Sequence, residues 1–335
     1  MEKRESTIRR VVGVSRTTEQ SVLDSFKERF KKDAREDAIE RPIDPELIEI
    51  IPVLNKQIKD FMEGFGLEAF EIPVNNIHLV DKSKLTPEQL EYLEKYYKTT
   101  IGWFSQDRQN IMMFIDYEKD NKLKFLLSLV HEMLHANSFQ SLQRVDFDEG
   151  KRLKISETMT DDTVRQSSVA TRRIGFNINS PKVKFYFHDI DEAIITELEM
   201  RFEDKYFSEI PAVQDEIAEK KKAIGQLAKG GTESPEELKR RLMAIQTRQQ
   251  PDGQWESKVE SYAYEKERKK LNELIDFIYK ENKDNFQSRE DVFNVFSKAC
   301  LTGRLLPIAR LIEKTYGVGS FRELGEETRD KRYEQ

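Results

Sequence analysis

The sequence predicts an α+β fold that combines a small mixed or antiparallel sheet with a mainly α-helical C-terminal region. Two observations carry this prediction. Short apolar runs bounded by polar residues, which are typical of strands, lie on both sides of one long apolar segment at residues 122–140. After Pro211, apolar residues recur at helical spacing within highly charged segments, which is typical of helices that keep one face in solvent.

Three helices and three strands are predicted before the long apolar segment. The second helix begins at Pro45, because apolar residues then recur every three or four positions until Gly64. Thr86 and Pro87 have the residue types of a helix cap and a first turn, and they predict the start of the third helix. The predicted helices span 17–38, 45–63 and 87–98, and the predicted strands span 77–80, 101–105 and 111–116.

Helices dominate the prediction for the rest of the chain. The segment 122–140 is apolar enough for a buried helix. Ser234 and Glu237 have the spacing of a capping box, which predicts a helix start. Two short strands are predicted at 172–179 and 183–187, and further helices at 189–207, 256–282, 289–301 and 304–316.

Charge and composition exclude several classes of protein. Lys and Arg total 56 and Asp and Glu total 62, a net charge of −6, which lacks the basic excess of a nucleic-acid-binding domain. The single cysteine, Cys300, excludes an internal disulfide and a Cys-rich metal module. No apolar run reaches membrane-spanning length, and the charged N-terminus lacks the apolar core of a signal peptide. We therefore expect a cytoplasmic protein without a nucleic-acid or membrane partner.

The strongest candidates for metal-binding and catalytic residues lie in one motif of the apolar segment, His131-Glu132-Met133-Leu134-His135. This motif has the pattern H-E-x-x-H. Helical residues four apart lie on one face, one turn from each other, so both imidazoles can reach a single zinc ion. Glu132, beside the first histidine, can take a proton from water that the metal activates. The motif predicts one zinc ion per chain, bound by His131 and His135, with Glu132 as the general base.

The third zinc ligand does not follow from the motif alone. A catalytic zinc site uses three protein ligands and keeps one position open. The extended pattern H-E-x-x-H-x-x-G-x-x-H is absent, because Ser138 and Ser141 occupy its two decisive positions. With only four histidines in the chain, the remaining candidates are His78, His188 and a carboxylate.

The strongest carboxylate candidate lies in the acidic stretch that opens the helix at 189–207. Glu192 lies among the core-facing positions of its first turn, and Glu197 is the alternative. Acidic residues in a first turn also complement the helix dipole without any metal, which is the structural alternative. Groups beyond the ligands hold ligating imidazoles in place, and Asp191, Thr196 and Glu197 are the candidates for that role.

With H-E-M-L-H on one helix and D-E-A-I-I-T-E on a later one, the sequence resembles the gluzincin metallopeptidases, the thermolysin-like division of the zincins. The resemblance covers roughly residues 100–208. It implies that the middle of the chain, 43–208, is a zincin-like catalytic domain. Composition and patterning along the chain predict a charged, partly flexible segment at 1–42 before it and a helical domain at 209–335 after it. The resemblance also implies that zinc is bound by His131, His135 and Glu192.

The resemblance has two departures in the second helix. Asp191 stands where these enzymes usually carry an asparagine, and Thr196 stands where they carry an acid four residues after the ligand. Both positions belong to the residues that surround the ligands rather than to the ligands themselves. The departures therefore bear on how the site is supported more than on which residues bind the metal.

The same resemblance implies how a peptide is bound. Gluzincins pair an extended peptide with the edge strand before the motif helix. The matching segment here is 110–116, with contacts expected from Asn110, Met112 and Phe114, unless the strand only completes the sheet. Gluzincins also stabilise the oxyanion with a later His or Tyr. No histidine follows His188, so this role falls to a tyrosine or an arginine. Tyr262 and Tyr264 are the named candidates, with Tyr264 expected in the site unless both tyrosines only pack.

These expectations amount to a zinc-dependent metallopeptidase whose partner is a peptide or protein substrate. Peptide as the substrate follows from the resemblance, whereas the motif spacing alone supports metal-assisted hydrolysis. The alternative is a catalytically silent zincin-fold protein that binds a regulatory partner. An intact Glu132 argues against that alternative, and the net negative charge argues against a helical nucleic-acid-binding protein.

Overall fold

The structure, a computed structural model, describes residues 7–31, 39–97, 101–106, 108–115, 117, 121–144, 169–179, 185–249 and 255–330. Within these residues the chain forms eleven α-helices and ten β-strands, which confirms the α+β class. None of the helices in this part of the chain combines the length and the apolar character that a bilayer-spanning segment requires.

The strands belong to three separate sheets. Their bounds are β1 (Arg10–Val12), β2 (Ile77–Leu79), β3 (Gly102–Ser105), β4 (Asn110–Met113), β5 (Gln140–Arg144), β6 (Val169–Ile174), β7 (Asn177–Asn179), β8 (Phe185–Tyr186), β9 (Leu242–Gln249) and β10 (Trp255–Ser261). The largest sheet has the order β1-β5-β6-β7-β8, a second has the order β2-β4-β3, and β9 and β10 form a two-stranded hairpin.

The helices connect and cover these sheets. Their bounds are α1 (Arg16–Lys31), α2 (Pro45–Glu63), α3 (Pro87–Tyr97), α4 (Lys122–Asn137), α5 (His188–Tyr206), α6 (Gln214–Gly230), α7 (Pro235–Arg241), α8 (Glu265–Glu281), α9 (Arg289–Thr302), α10 (Leu305–Tyr316) and α11 (Ser320–Glu327).

Helix α4 is the centre of the hydrophobic core. Asn121 caps its start by accepting the backbone N–H of Lys124 (2.9 Å). Its apolar side chains are completely buried, and each one contributes about 1.5–3 kcal/mol by leaving water. The fully buried residues are Leu123, Phe125, Leu126, Leu127, Leu129, Val130, Met133, Leu134 and Ala136. A helix packed on all sides in this way holds its few polar side chains in fixed positions.

The five-stranded sheet connects α4 with α5. β5 begins at Gln140, immediately after α4, and β8 ends at Tyr186, two residues before α5 begins. β1 pairs with β5 in parallel, whereas the other neighbouring strands of this sheet run antiparallel. The two helices are therefore anchored to opposite parts of one sheet and also pack directly on each other.

The main hydrophobic cluster is continuous from the first half of the chain to the last helices. It contains Leu47 of α2 and Leu126 of α4 together with Ile275 of α8 and Phe296 of α9. Residues on both sides of position 208 therefore share one core. The domain boundary near that position stays a prediction.

The prediction of a helix over 256–282 is wrong at its beginning. Residues 255–261 form β10, which pairs antiparallel with β9, and the helix α8 begins only at Glu265. This region is highly charged overall, but it contains a short apolar run, Leu242 to Ile245, that packs against α6 and α7. The charged surroundings masked the strand signal of this run. The C-terminal region is thus mainly helical but contains a β-hairpin.

The other predicted elements are found within a few residues of their expected bounds. The structure adds β1, β5 and α11, which the sequence patterns did not predict. The helix predicted to start at Ser234 and to continue to Pro251 is wrong after Arg241, because Leu242–Gln249 form β9. Parts of several predicted segments lie outside the described residues, namely 1–6, 32–38, 98, 116, 183–184, 250–254 and 331–335.

Candidate metal centre

Helix α4 brings the two histidines of the motif together, one turn apart. The ring centroids of His131 and His135 are separated by 4.9 Å, and their Nε2 atoms by 3.2 Å. Both Nε2 atoms face helix α5. The predicted juxtaposition of the two imidazoles is therefore present.

Helix α5 adds a carboxylate to this pair from its first turn. Oε2 of Glu192 lies 3.4 Å from Nε2 of His131 and 3.4 Å from Nε2 of His135. Among the described residues, His131, His135 and Glu192 form the one group of His, Cys, Asp and Glu side chains whose donor atoms are close enough to share a metal ion. These three residues are the ligand set that the sequence predicted.

The separations within this group suit a tetrahedral metal ion. Zinc binds imidazole nitrogen at about 2.0–2.1 Å and carboxylate oxygen at a similar distance, so two tetrahedral ligands are about 3.3 Å apart. The three observed donor separations are 3.2, 3.4 and 3.4 Å. The residues therefore fit a single ion without rearrangement of their side chains.

Burial and charge together define the protonation of the group. Burial alone would lower the pKa of the His131 imidazole, but the carboxylates of Glu192 and Glu199 outweigh it and hold this pKa well above its ordinary value. Burial alone would raise the pKa of the Glu192 carboxyl, but His135 and His131 hold it well below its ordinary value. The carboxylates therefore favour the protonated form of the His131 imidazole, and the imidazoles favour the ionised form of the Glu192 carboxyl.

Glu132 lies between α4 and strand β3. Its Oε2 accepts the backbone N–H of Phe104 (2.8 Å), which fixes the carboxylate against β3. Gly102 permits this close approach, because a Cβ at that position would lie 3.0 Å from Cγ of Glu132 and 2.8 Å from the Met113 sulfur. Burial raises the pKa of Glu132, and the neighbouring imidazoles offset only part of that increase.

Each imidazole of the candidate metal centre has an acidic side chain near its other nitrogen. Nδ1 of His131 donates to Oε2 of Glu199 (3.0 Å), and Nδ1 of His135 lies 3.8 Å from Oδ2 of Asp191. Such partners fix the tautomer and ring orientation of metal-binding histidines. Asp191 was predicted for this role and Glu199 was not, although Glu199 lies two turns after Glu192 on the same face of α5.

The Asp191 carboxylate is itself held by the loop between β6 and β7. Its Oδ1 accepts the backbone N–H of Phe176 (2.6 Å) and lies 3.5 Å from the buried thiol of Cys300. Gly175 precedes this contact with a φ of +55°, a conformation that favours glycine, and a Cβ there would lie 2.1 Å from Asp191 Oδ1. The loop and helix α9 thus enclose Asp191 completely.

The other two residues predicted to orient the imidazoles do not contact them. Thr196 donates its hydroxyl to the backbone carbonyl of Glu192 (2.8 Å), an ordinary bond within the helix. Glu197 faces the opposite side of α5 and accepts hydrogen bonds from Arg201 and Arg240. Glu197 lies five residues after Glu192, so at about 100° per residue its side chain is rotated by about 140° around the helix, away from the site.

The two histidines outside the motif have different surroundings. Nδ1 of His78 lies 2.7 Å from Oε1 of Glu40, in a buried pair away from the metal site. His188 is adjacent to the site, with its Nδ1 3.9 Å from Oε1 of Glu192. Neither histidine belongs to the group of three donor atoms.

Of the two candidate tyrosines, Tyr264 lies beside the motif. Its ring is nearly parallel to that of His131, with an interplanar angle of 15° and a centroid distance of 6.3 Å. Its backbone has a left-handed φ of 56°, uncommon for a bulky residue. Tyr262 is buried and hydrogen-bonds to Glu203, so it is a packing residue.

The prediction that residues 110–116 form an edge strand is wrong. β4 is the central strand of its sheet, paired in parallel with β2 and antiparallel with β3. Asn110, Met112 and Phe114 are buried. Asn110 and Met112 lie in β4, which already has neighbours on both sides, and the N–H of Phe114 donates to the carbonyl of Ile101, so none of the three offers the expected backbone pairing to a peptide. The sequence could not reveal this, because the β2 pairing joins segments more than thirty residues apart.

Strand β3 is the outer strand next to the motif helix. In the described residues it pairs only with β4, and its Phe104 contacts Glu132 directly.

Comparisons of the chain with protein-family models, with curated proteins and with solved structures found no match.

Proposed function

We propose that this chain is a zinc-dependent metallopeptidase with a zincin-like arrangement of its catalytic residues. The observation that carries the proposal is the triangle of donor atoms from His131, His135 and Glu192, whose sides are 3.2–3.4 Å. Two imidazoles and one carboxylate form the donor set of a catalytic zinc site, which leaves a position open for water or substrate. A structural site would use four protein ligands, and the group within the described residues has three.

Glu132 is the general base of the proposed reaction. A bound zinc ion supplies a Lewis acid that makes water more acidic and polarises a peptide carbonyl. Glu132 takes a proton from the attacking water and transfers it to the leaving amine. The N–H of Phe104 orients the carboxylate for this task, and a pKa raised by burial makes the carboxylate a stronger base.

Two further parts of the site support a peptide as the substrate. Outer strand β3 lies beside Glu132, and the part of its edge beyond the Phe104 N–H that Glu132 accepts is available for backbone pairing with an extended peptide, the role first expected of β4. The ring of Tyr264 lies beside that of His131, and its hydroxyl is the candidate donor to the oxyanion. Its left-handed backbone is a strain of the kind that functional sites retain.

Metal analysis and one isosteric variant test the proposal. Purified wild-type protein should contain about one zinc ion per chain, and it should cleave members of a mixed peptide library. Glu132→Gln should retain zinc and lose at least about a hundredfold in kcat/KM, because only the proton acceptor is removed. The exposed Glu219→Gln on α6 is the matched control and should behave as wild type.

Three results would argue against the proposal. Wild-type protein that binds no zinc would remove the metal site. Wild-type protein that binds zinc but cleaves no peptide would favour the catalytically silent alternative. Unchanged hydrolysis by Glu132→Gln would remove this residue from the mechanism.

A further inference from the structure

We infer that residues 325–330 belong to the metal centre, where Asp330 and His188 act as positioning residues for the zinc ligand Glu192. The inference rests on the proposed metal site and concerns the part of Glu192 that faces away from the two imidazoles. Oε2 of Glu192 faces His131 and His135, whereas Oε1 lies 3.9 Å from Nδ1 of His188. A carboxylate that binds a metal through one oxygen is oriented by the partner of its other oxygen.

The imidazole of His188 bridges Glu192 and a second carboxylate. Its Nε2 lies 3.9 Å from Oδ2 of Asp330, and its Nδ1 lies 3.4 Å from the side-chain amide of Asn177. The 3.9 Å separations are contacts between charged or polar groups, longer than direct hydrogen bonds. The three side chains Glu192, His188 and Asp330 thus form a line that leads from the metal ligand to the C-terminal segment.

The backbone holds the C-terminal segment against the start of α5. Phe187 donates its N–H to the Gly325 carbonyl (3.3 Å), and Asp189 donates to the Thr328 carbonyl (3.0 Å). Asp330 donates its own N–H to the carbonyl of Phe185 (2.9 Å). These bonds lie on both sides of His188 in the sequence, so they fix the segment at the position from which Asp330 reaches the imidazole.

The burial of Asp330 indicates that its contact with His188 stabilises the structure. Asp330 is 7 % exposed, and a carboxylate removed from water in this way requires a polar or charged neighbour. His188 is one such neighbour, and the first turn of α5 carries it together with Glu192. Residues far beyond α5 in the sequence therefore complete the support of the third ligand, and displacement of the segment 325–330 would loosen Glu192.

Zinc affinity measured by competition with a chromogenic chelator tests this inference on the full chain. We expect His188→Ala to weaken zinc binding by about 10–100-fold and Asp330→Asn by about 10-fold, the range found when groups behind a metal ligand are removed. Glu327→Gln removes an exposed carboxylate from the same segment and should leave the affinity unchanged. Urea unfolding without zinc should give similar midpoints for all variants.

A double variant separates positioning from general loss of structure. If Asp330 acts through His188, Asp330→Asn adds less than about twofold to the effect of His188→Ala, because residues in one network are not additive. Additive losses, or a zinc affinity of Asp330→Asn equal to that of wild type, would overturn the inference. Should Asp330→Asn unfold, His188→Ala alone decides, and wild-type affinity in that variant would overturn it.

The same measurements distinguish this inference from the proposed function. Wild-type protein that binds zinc without cleaving peptides contradicts the peptidase proposal alone and leaves the zinc affinities of the variants as expected. Wild-type protein that binds no zinc overturns both. Equal affinities in wild type and the variants, with peptide cleavage intact, overturn only the role of Asp330 and His188.

Discussion

Nδ1 of His131 donates a hydrogen bond to the carboxylate of Glu199 across 3.0 Å. Glu199 is 3 % exposed and lies seven residues after Glu192 on α5, two helical turns along the same face. One helix therefore supplies both a candidate metal ligand and the group that orients another ligand. This contact directs Nε2 of His131 toward the other two donor atoms.

Glu199→Gln should weaken zinc binding by about 10-fold while leaving the fold intact. The glutamine retains an oxygen that can accept from His131, but it removes the negative charge that makes the imidazole a stronger ligand. Competition with a chromogenic chelator measures the affinity, and Glu219→Gln serves as the matched surface control. An affinity equal to that of wild type would show that Glu199 only fills space.

The juxtaposition of His131 and His135 could be predicted because its geometry is local. The spacing of His131 and His135 on a helix determines that their imidazoles meet, whatever the rest of the fold. The position of Glu192 could not be predicted from local spacing alone, because its distance from the two imidazoles depends on how α5 packs on α4. An acidic first turn and the resemblance to a known pattern indicated it, and the structure brings it to the site.

The parts that could not be predicted depend on contacts between distant segments. β4 is a central strand because β2, which precedes it by more than thirty residues, pairs along its second edge. Glu199 lies on the active face of α5, yet its sequence neighbours are also acidic or apolar and give it no distinguishing pattern. The β9–β10 hairpin forms because helices α6 and α7 cover the apolar run of β9, which its charged surroundings concealed.

Gly175→Ala should destabilise the protein by about 2–4 kcal/mol. The φ of +55° disfavours any side chain, and the new Cβ would lie 2.1 Å from Oδ1 of Asp191 and 2.9 Å from the Cys300 sulfur. Asp191 would have to move away from His135, so zinc affinity should fall as well. Urea unfolding measures the change in the free energy of unfolding.

Gly225→Ala on α6 is the matched control for that variant. A Cβ at Gly225 has no atom within 4 Å, and alanine is favoured over glycine by about 0.5–1 kcal/mol inside a helix. This control should therefore be as stable as wild type or more stable. A Gly175→Ala protein as stable as Gly225→Ala would contradict the close packing of the loop against Asp191.

Cys300 should be unreactive toward thiol reagents in the folded protein. Its side chain is completely buried, and burial together with the adjacent Asp191 carboxylate raises the pKa of the thiol well above its ordinary value. Because thiolate is the reactive form, we expect labelling to be slower than in the unfolded chain by a factor of about a thousand or more. A disulfide reagent measured with and without urea checks this, and rapid labelling of the native protein would contradict it.

Tyr264→Phe should lower kcat by about 10–100-fold and leave zinc affinity unchanged. Phenylalanine keeps the ring that lies beside His131, so only the hydroxyl offered to the oxyanion is lost. Tyr279→Phe, which removes an exposed hydroxyl bonded to the backbone of Gln287, is the control. A fall in zinc affinity without a change in kcat would assign Tyr264 to support of the metal site instead.

Zinc binding should weaken as the pH is lowered through neutrality. The carboxylates of Glu192 and Glu199 outweigh burial and raise the pKa of His131, and Glu192 likewise outweighs burial and raises that of His135. Imidazole binds zinc only in its neutral form, so zinc must displace the protons of His131 and His135, which these imidazoles hold more tightly because their pKa values are raised. Raising the pH removes those protons and strengthens binding.

The number of protons released distinguishes this site from ordinary surface histidines. Two imidazoles with raised pKa values predict release of up to about two protons per zinc ion near neutral pH. Titration calorimetry in buffers of different ionisation enthalpy measures that number directly. Glu199→Gln removes one of the carboxylates that raise the pKa of His131, so this variant should release fewer protons than wild type at the same pH. Proton release equal to that of wild type would contradict the role of Glu199 in the charge balance of the site.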